Sequence, residues 1–193
     1  MDLSFLDIGT LLLIAHIFGV ALGAGGAFTS DLLFIAAAHD RRMSRTELRL
    51  LRVASTGVIA GLALLIASGI GLAWLNPEYY LSSSKFLAKM SIVAILALNG
   101  IAFHTVHIPR LKRYVQGNVP AHPQYQRERK LLLISGALSS TSWASAMILG
   151  LLRSIPWSYS TLMMMYAGIL VLVLTGAYLM RDLVMPSLRR RTK

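Results

Sequence analysis

The chain has 193 residues, of which 55% are apolar and 14% are charged, and its formal net charge is +11. This composition is typical of a membrane protein. The sequence contains no cysteine, which excludes disulfides, iron–sulfur clusters and thiolate metal sites.

Five apolar runs each reach the ~20 residues that a helix needs to cross a bilayer. They are residues 8–38, 53–75, 86–108, 131–152 and 159–180. The runs and the short segments between them predict an all-α fold, an integral membrane bundle of five transmembrane helices. They leave no room for a separate soluble domain, so residues 1–193 are expected to form a single domain.

The basic residues are concentrated in alternate loops. Sixteen of the 19 Lys and Arg residues follow the first, third and fifth runs, whereas Lys85, Lys89 and Arg153 lie on the opposite side. The positive-inside rule therefore predicts an N-terminus outside and a C-terminus in the cytoplasm, in a bacterial inner (plasma) membrane. The positive charge is then explained without nucleic acid, and membrane lipid headgroups are the expected partner of these loops.

The first run carries polar residues within its apolar sequence. At about 100° per residue, His16 and several glycines share one helix face, with Asp31 at its edge. Glycines on one face let another backbone or a flat cofactor approach the helix axis. Gly19, Gly23 and Gly26 therefore predict either a cofactor slot or tight helix packing. In the first case His16 is a ligand, and in the second it is an interhelical hydrogen-bonding group.

The second run contains small residues at positions that favour close packing. Gly57-x3-Gly61 and the patch Ser68-Gly69-x-Gly71 predict contact with the glycine face of the first helix. Asn76-Pro77 then breaks the chain, and the serines 82–84 are suited to cap the next helix.

The third run is the second one that carries polar chemistry. Lys89 lies near its start, and His104 and His107 lie near its inner end. The first and third helices run in the same direction, and fifteen residues separate His16 from Asp31, as they separate Lys89 from His104. If His16 and Lys89 lie at one depth, Asp31 and His104 also share a depth, about 22 Å further in. In that register His16 and Lys89 form an outer polar level, and Asp31, His104 and His107 form an inner one.

The fourth and fifth runs give less specific signals. The hydroxyl residues Ser135, Ser139–Ser142 and Ser145 predict hydrogen bonds to their own helix or a neighbouring one, and Trp143 either packs or borders a cofactor. The methionines 163–165 predict adaptable packing, although thioethers also bind copper(I) and haem iron. Lys85, at a helix end, is expected to reach the lipid headgroups.

These features predict binding of haem b, which needs an axial ligand, room for a flat ring and cations for its propionates. His16 is the candidate axial ligand, and the three glycines on its face give the room. Lys89 or Arg153 pairs with the propionates or ligates directly. His104 lies too deep to share an iron with His16, so the second axial ligand is not specified.

Two segments, AHIFGVALGAGGAF and KFLAKMSIVAILALNGIAFHTVH, carry a resemblance to a known family. Over residues 10–114 the chain resembles the superfamily that contains copper resistance D membrane proteins and haem-containing membrane protoporphyrinogen oxidases. The resemblance implies that His16 and Lys89 occupy haem-associated positions and that His104 corresponds to a later histidine. It also implies porphyrinogen oxidation as one example of the activity.

The leading hypothesis is therefore a haem b protein of electron transfer or membrane-linked oxidation. In the second case the protein would be an oxidoreductase. Its expected partner is a redox partner or a second copy of the chain. The alternative is a carrier or permease for copper or iron, in which His16, Asp31, His104 and His107 are the candidate metal ligands. A third hypothesis is a non-catalytic membrane subunit that carries neither haem nor metal.

Overall fold

A computed structural model describes residues 7–39, 44–111 and 123–180, and every regular element in these ranges is helical. The elements are α1 (Ile8–His39), α2 (Arg45–Leu75), α3 (Pro77–Ser82), α4 (Ser84–Ala102), a π-helical turn (Phe103–His107), α5 (Ile108–Leu111), α6 (Pro123–Leu151) and α7 (Tyr159–Leu179). Five helical segments are long and apolar enough to cross a membrane. The prediction of an all-α bundle with five spans is confirmed. Much of the basic charge behind the predicted orientation, including residues 181–193, lies outside the described residues.

Local capping explains where the second and third spans begin. Ser44 and Glu47 form a capping box, in which each side chain accepts a backbone N–H of the other residue. This box starts α2 at Arg45, two turns before the apolar run that marks the helix in the sequence. Ser83 accepts the N–H of Phe86 and starts α4, which confirms that a serine caps this helix.

The predicted break at Asn76-Pro77 holds an additional element. The Asn76 side chain accepts the N–H of Tyr79, and Pro77 occupies the first turn of the six-residue α3. Proline is favoured in this position because N–H groups in the first turn of a helix have no acceptor within the helix, so no hydrogen bond is lost. The break therefore becomes a short helix between two spans rather than an open loop.

Helices α1 and α2 pack closely because their glycines face each other. A Cβ on Gly61 would collide with the backbone nitrogen of Gly23 and would lie 2.7 Å from the carbonyl oxygen of Gly19. Gly57, one turn earlier on α2, has nothing within 4 Å of its corresponding position. The predicted contact between the two small-residue faces is confirmed, but only Gly61 of the Gly57-x3-Gly61 pair makes it.

Two apolar clusters of buried residues fill the bundle at different depths. The first holds Ala24, Ala27, Leu62, Leu65, Val93, Leu96 and Trp143, and the second holds Phe34, Ala37, Leu48, Leu51, Ile108 and Leu132. Helices α1, α2 and α6 contribute to both clusters, and the third span contributes to both through α4 and α5. Between the two clusters each of the four spans carries at least one polar residue, and these residues form a polar layer; they include Ser30, Asp31, Ser55, Asn99, Ser135 and Ser139.

Candidate functional site

The polar layer borders a small, partly open cavity. Side chains from α1, α2, α4 and α6 line it, and the polar ones are Ser30, Asp31, Ser55, Asn99, Ser135 and Ser139. The cavity volume is about 30 Å³. A water molecule needs at least about 10–15 Å³ measured in this way, so the cavity has room for one or two water molecules or ions of similar size. It is far too small for a porphyrin.

Asp31 is the acidic group of this layer. Ser140 on α6 donates a hydrogen bond of 2.6 Å from its Oγ to Oδ2 of Asp31. The other carboxylate oxygen lies beside Gly136, where a Cβ would be 3.1 Å from Oδ1. Within the described part of the chain, Asp31 has no ion-pair partner. A carboxyl group inside a membrane span is therefore held by one hydroxyl and borders a polar cavity.

Ser30 adds an unsatisfied group to the same cavity. The residue is 5% exposed, and its Oγ has no hydrogen-bond partner among the described residues. A buried hydroxyl without a hydrogen-bond partner destabilises a protein by about 1–3 kcal/mol, so native structures rarely contain one. Ser30 is one of the residues that line the cavity.

A reciprocal pair of hydrogen bonds joins α4 to α6 at the wall of the cavity. Asn99 donates from Nδ2 to the backbone carbonyl of Ser135, and Ser135 Oγ donates to Oδ1 of Asn99, both at 3.0 Å. This pairing fixes which end of the Asn99 amide is oxygen. It also holds the two helices in a defined register.

The histidines at the inner end of the third span approach this layer from the side. His104 Nδ1 lies 3.3 Å from Oγ of Ser55, which also lines the cavity. His107 is buried, and its ring contacts Phe103 with a centroid separation of 5.6 Å. Both histidines belong to the π-helical turn, a feature that is frequent at functional sites.

The structure does not assemble the predicted inner metal ligands. Asp31 contacts α6, His104 contacts α2, and His107 packs on Phe103. Among the residues that the structure describes, no three His, Asp or Glu side chains come together in a group that could hold a metal ion. In the described structure each of these side chains therefore lies against a different neighbour.

At the outer level, His16 is held by α2. Its Nδ1 lies 3.1 Å from Oγ of Ser68, and the Ser68 hydroxyl donates to the carbonyl of Leu64 at 2.6 Å. Since the serine has only one proton, the His16 ring is assigned as the donor, with hydrogen on Nδ1. Nε2 then carries the lone pair, which is the arrangement of a histidine that binds metal or accepts a proton.

Lys89 lies close enough to the His16 ring to interact with it electrostatically, as the predicted outer level requires. The lysine is half-buried, and no hydrogen bond or ion pair of Lys89 occurs within the described ranges. Lys85, one turn away, donates instead to the carbonyls of Leu152 and Arg153 at 2.6 and 3.2 Å. Lys85 therefore binds the two residues that directly follow α6, and its contact with lipid headgroups stays a prediction.

The glycine face of α1 is filled by protein atoms. A Cβ on Gly19 would lie 2.8 Å from the backbone nitrogen of Leu65, and one on Gly26 would lie 2.8 Å from the carbonyl of Ala54. A Cβ on Gly23 would collide with the ring of Trp143. A porphyrin does not fit between this face and its neighbours, so helix packing is the interpretation that describes the three glycines.

The remaining predicted residues lie at the surface of the bundle. Arg153 is exposed beyond α6, and its described contact is made by its backbone carbonyl rather than by its guanidinium. Met164 and Met165 are 67% and 45% exposed on α7. The structure does not direct these side chains toward His16 or Asp31 in any described contact.

Sequence reasoning missed the residues that surround Asp31. Ser140 belongs to a hydroxyl-rich run for which the sequence predicts a hydrogen bond but no partner, and Ser30 and Ser55 are single serines in apolar helices. The available signal was the coincidence of serines on three helices with one carboxyl group, since lipid-facing positions rarely carry such groups. Which serine meets the carboxyl depends on helix rotation, which the sequence alone does not give.

Comparison with known proteins adds no further assignment. No protein-family model, curated protein or solved structure matches this chain. The resemblance to the copper resistance D and protoporphyrinogen oxidase superfamily therefore stays a prediction.

Proposed function

We propose that the protein is a membrane carrier for protons or small cations and that Asp31 is the group that binds them. The observation that carries the proposal is the position of Asp31, in a membrane-spanning helix and at the wall of a polar cavity. Ionisable groups inside membrane spans are rare, and they commonly mark ion and proton pathways.

Charge gives the physical reason for binding. An ionised carboxylate at the centre of a membrane helix is unfavourable by about 2.5–3.5 kcal/mol on insertion scales. A proton or a monovalent cation neutralises Asp31, which has no ion-pair partner in the described part of the chain. The loaded site is then neutral, and the loss of its ligand restores the charge. Such a difference between two states is what a carrier needs to couple binding to a change of conformation.

The donor atoms favour a hard cation over copper or iron. The cavity offers carboxylate, hydroxyl and amide oxygens, which suit hard cations. Copper(I) prefers thioether and thiolate sulfur, and iron sites commonly use imidazole. His104 reaches the layer only through its contact with Ser55. Within the carrier class, the geometry therefore supports protons or small cations better than the transition metals predicted from the sequence.

The direction of transport depends on the orientation in the membrane. We propose the N-terminus outside and the C-terminus in the cytoplasm of a bacterial inner membrane, as the distribution of basic residues indicates. In this orientation His16 and Lys89 would lie on the outer side of the cavity.

A flux measurement with the full chain in proteoliposomes tests the carrier proposal. An imposed proton or sodium gradient should relax faster with the protein than in empty vesicles, and Asp31→Asn should abolish the difference. Glu78→Gln is the matched control, because Glu78 is an exposed carboxylate on α3. Equal flux for the unsubstituted protein and Asp31→Asn, or no flux above empty vesicles, would contradict the proposal.

Haem b binding with electron transfer is the second candidate, and one observation favours it. The hydrogen bond from His16 to Ser68 leaves Nε2 of the ring with its lone pair, as an axial ligand requires. The closed glycine face means that a haem on His16 would not occupy the predicted slot. When bound, haem would supply one-electron chemistry.

An absorption spectrum of the purified protein tests the haem candidate directly. A Soret band that shifts on reduction with dithionite and disappears in His16→Ala would establish it. A colourless protein, purified with haem supplied throughout expression, would remove haem from consideration and leave the carrier proposal unaffected.

A further inference from the structure

We infer that the cavity beside Asp31 is a binding site for one small monovalent cation, with sodium as the ion that fits its size and ligands. This inference rests on the carrier proposal for its biological role, but it concerns binding and stands on a separate measurement. The site would be formed by the Asp31 carboxylate, the Ser30 hydroxyl and the amide oxygen of Asn99, which belong to three of the residues that line the cavity.

The first argument is the unsatisfied hydroxyl. Ser30 is 5% exposed and its Oγ has no hydrogen-bond partner in the described residues, yet it borders the same space as the carboxylate. Packing alone would favour an alanine here, because a buried hydroxyl without a partner is destabilising. A bound cation would coordinate the lone pairs of this oxygen.

The second argument is the arrangement of the other oxygens. Ser140 occupies Oδ2 of Asp31, and Gly136 has no side chain to cover Oδ1. Asn99 is held with its oxygen toward Ser135 by two hydrogen bonds, and an amide oxygen has a second lone pair available. Carboxylate, hydroxyl and amide oxygens are the ligand types that hard cations take.

The third argument decides the charge and size of the ion. The described residues place one carboxylate at the cavity and no cationic partner for it, so a single positive charge makes the site neutral. A divalent ion would leave a net positive charge in apolar surroundings, which is strongly unfavourable. A cavity of about 30 Å³ holds a small ion with one water molecule.

Binding is tested on the detergent-purified full chain by titration with sodium chloride against choline chloride at constant ionic strength. The unfolding temperature and the 23Na NMR linewidth are the two readouts, and neutral and alkaline buffers are compared so that a proton does not occupy the carboxylate. Sodium should raise the unfolding temperature of the unsubstituted protein and broaden the 23Na signal. Identical behaviour in sodium and choline at both pH values would overturn the inference.

Two variants locate the site. Asp31→Asn should abolish both sodium effects. Ser30→Ala removes one ligand and should weaken sodium affinity about tenfold, while it deletes the unsatisfied hydroxyl and should therefore fold well without sodium. Ser91→Ala and Glu78→Gln are matched controls, since both residues lie away from the cavity, and their sodium response should equal that of the unsubstituted protein. An unchanged sodium response in Ser30→Ala would overturn the assignment even if Asp31→Asn fails to fold.

The outcome separates the inference from the carrier proposal. Flux that depends on Asp31 without sodium binding would leave a proton carrier and reject the sodium site. Sodium binding without flux would support the site and reject transport.

Discussion

Ser140 of α6 donates a hydrogen bond of 2.6 Å to the carboxylate of Asp31 on α1, across 109 residues of sequence. This bond joins the first span to the fourth at the level of the polar layer. It leaves one carboxylate oxygen at the cavity side beside Gly136, and it thereby orients the group that the proposed function depends on.

Removal of this bond should lower the stability of the bundle. We expect Ser140→Ala to reduce the free energy of unfolding by about 1 kcal/mol, because interhelical hydrogen bonds in membranes contribute about 0.6–1.7 kcal/mol. Unfolding in mixed detergent micelles measures the change. Ser139→Ala is the control, since Ser139 also borders the cavity but has no hydrogen bond in the described structure. If the two substitutions lower the free energy of unfolding equally, the hydrogen bond to Asp31 makes no specific contribution to stability.

The two glycines of the Gly57-x3-Gly61 pair should respond oppositely to alanine. Gly61→Ala forces its new methyl group into the backbone of α1, 2.7 Å from the Gly19 carbonyl oxygen, and should destabilise the protein by about 1–3 kcal/mol. Gly57→Ala meets nothing within 4 Å and should be neutral or stabilising by up to about 1 kcal/mol, because alanine favours helix. Thermal unfolding of both variants measures the difference, and similar losses in the two would contradict the packing of α1 on α2.

The tautomer of His16 is a direct consequence of its contact with Ser68. We expect the neutral ring to carry hydrogen on Nδ1, since Ser68 donates its own proton to Leu64. Chemical shifts of 15N-labelled histidine, with His16→Gln to assign the signals, report the tautomer. In Ser68→Ala the preference for Nδ1–H should be lost. A ring with hydrogen on Nε2 would rule out the hydrogen-bond assignment and weaken the haem candidate.

Lys85 should stabilise the outer end of α6. Its ammonium group donates to the carbonyls of Leu152 and Arg153, which would otherwise be left to solvent or lipid headgroups. We expect Lys85→Met to lower the free energy of unfolding by about 0.5–1.5 kcal/mol. Lys89→Met should not produce this loss, because no hydrogen bond of Lys89 occurs among the described residues. Faster amide exchange near residue 152 in Lys85→Met alone would locate the effect.

The start of α1 should depend on pH through Asp7, which lies outside the membrane-spanning segment. Hydrogen bonds from the Thr10 side chain and backbone lower the pKa of Asp7 below its ordinary value of 3.8. A lowered pKa in the folded state means that the stabilisation is present above the unfolded value and is lost as the pH falls. The helical chemical shifts of residues 8–11 should therefore decline below about pH 4. In Asp7→Ala these residues should be frayed at every pH, so their chemical shifts should not change at this point in the titration. A change that persists in the variant would show that another group titrates there.

The sequence by itself determined the elements that depend on local pattern. The five spans follow from runs of apolar residues, and the ends of α2 and α4 at Asn76 and Ser83 follow from helix-stopping and capping chemistry. These features need only neighbours in the chain, because a helix satisfies its own backbone hydrogen bonds in lipid. The equal spacing of His16 from Asp31 and of Lys89 from His104 is likewise read from the sequence, since each residue of a helix adds a fixed rise.

The tertiary structure decided which side chains meet. It brought Ser140 to Asp31, closed the glycine face of α1 against Gly61 and Trp143, and directed Lys85 to the end of α6. It also placed His104 against Ser55 and His107 against Phe103. The physical reason is that each contact depends on the rotation of two helices about their axes. That rotation is set by the packing of all the neighbouring spans together, and the apolar pattern of a single span in lipid does not encode it.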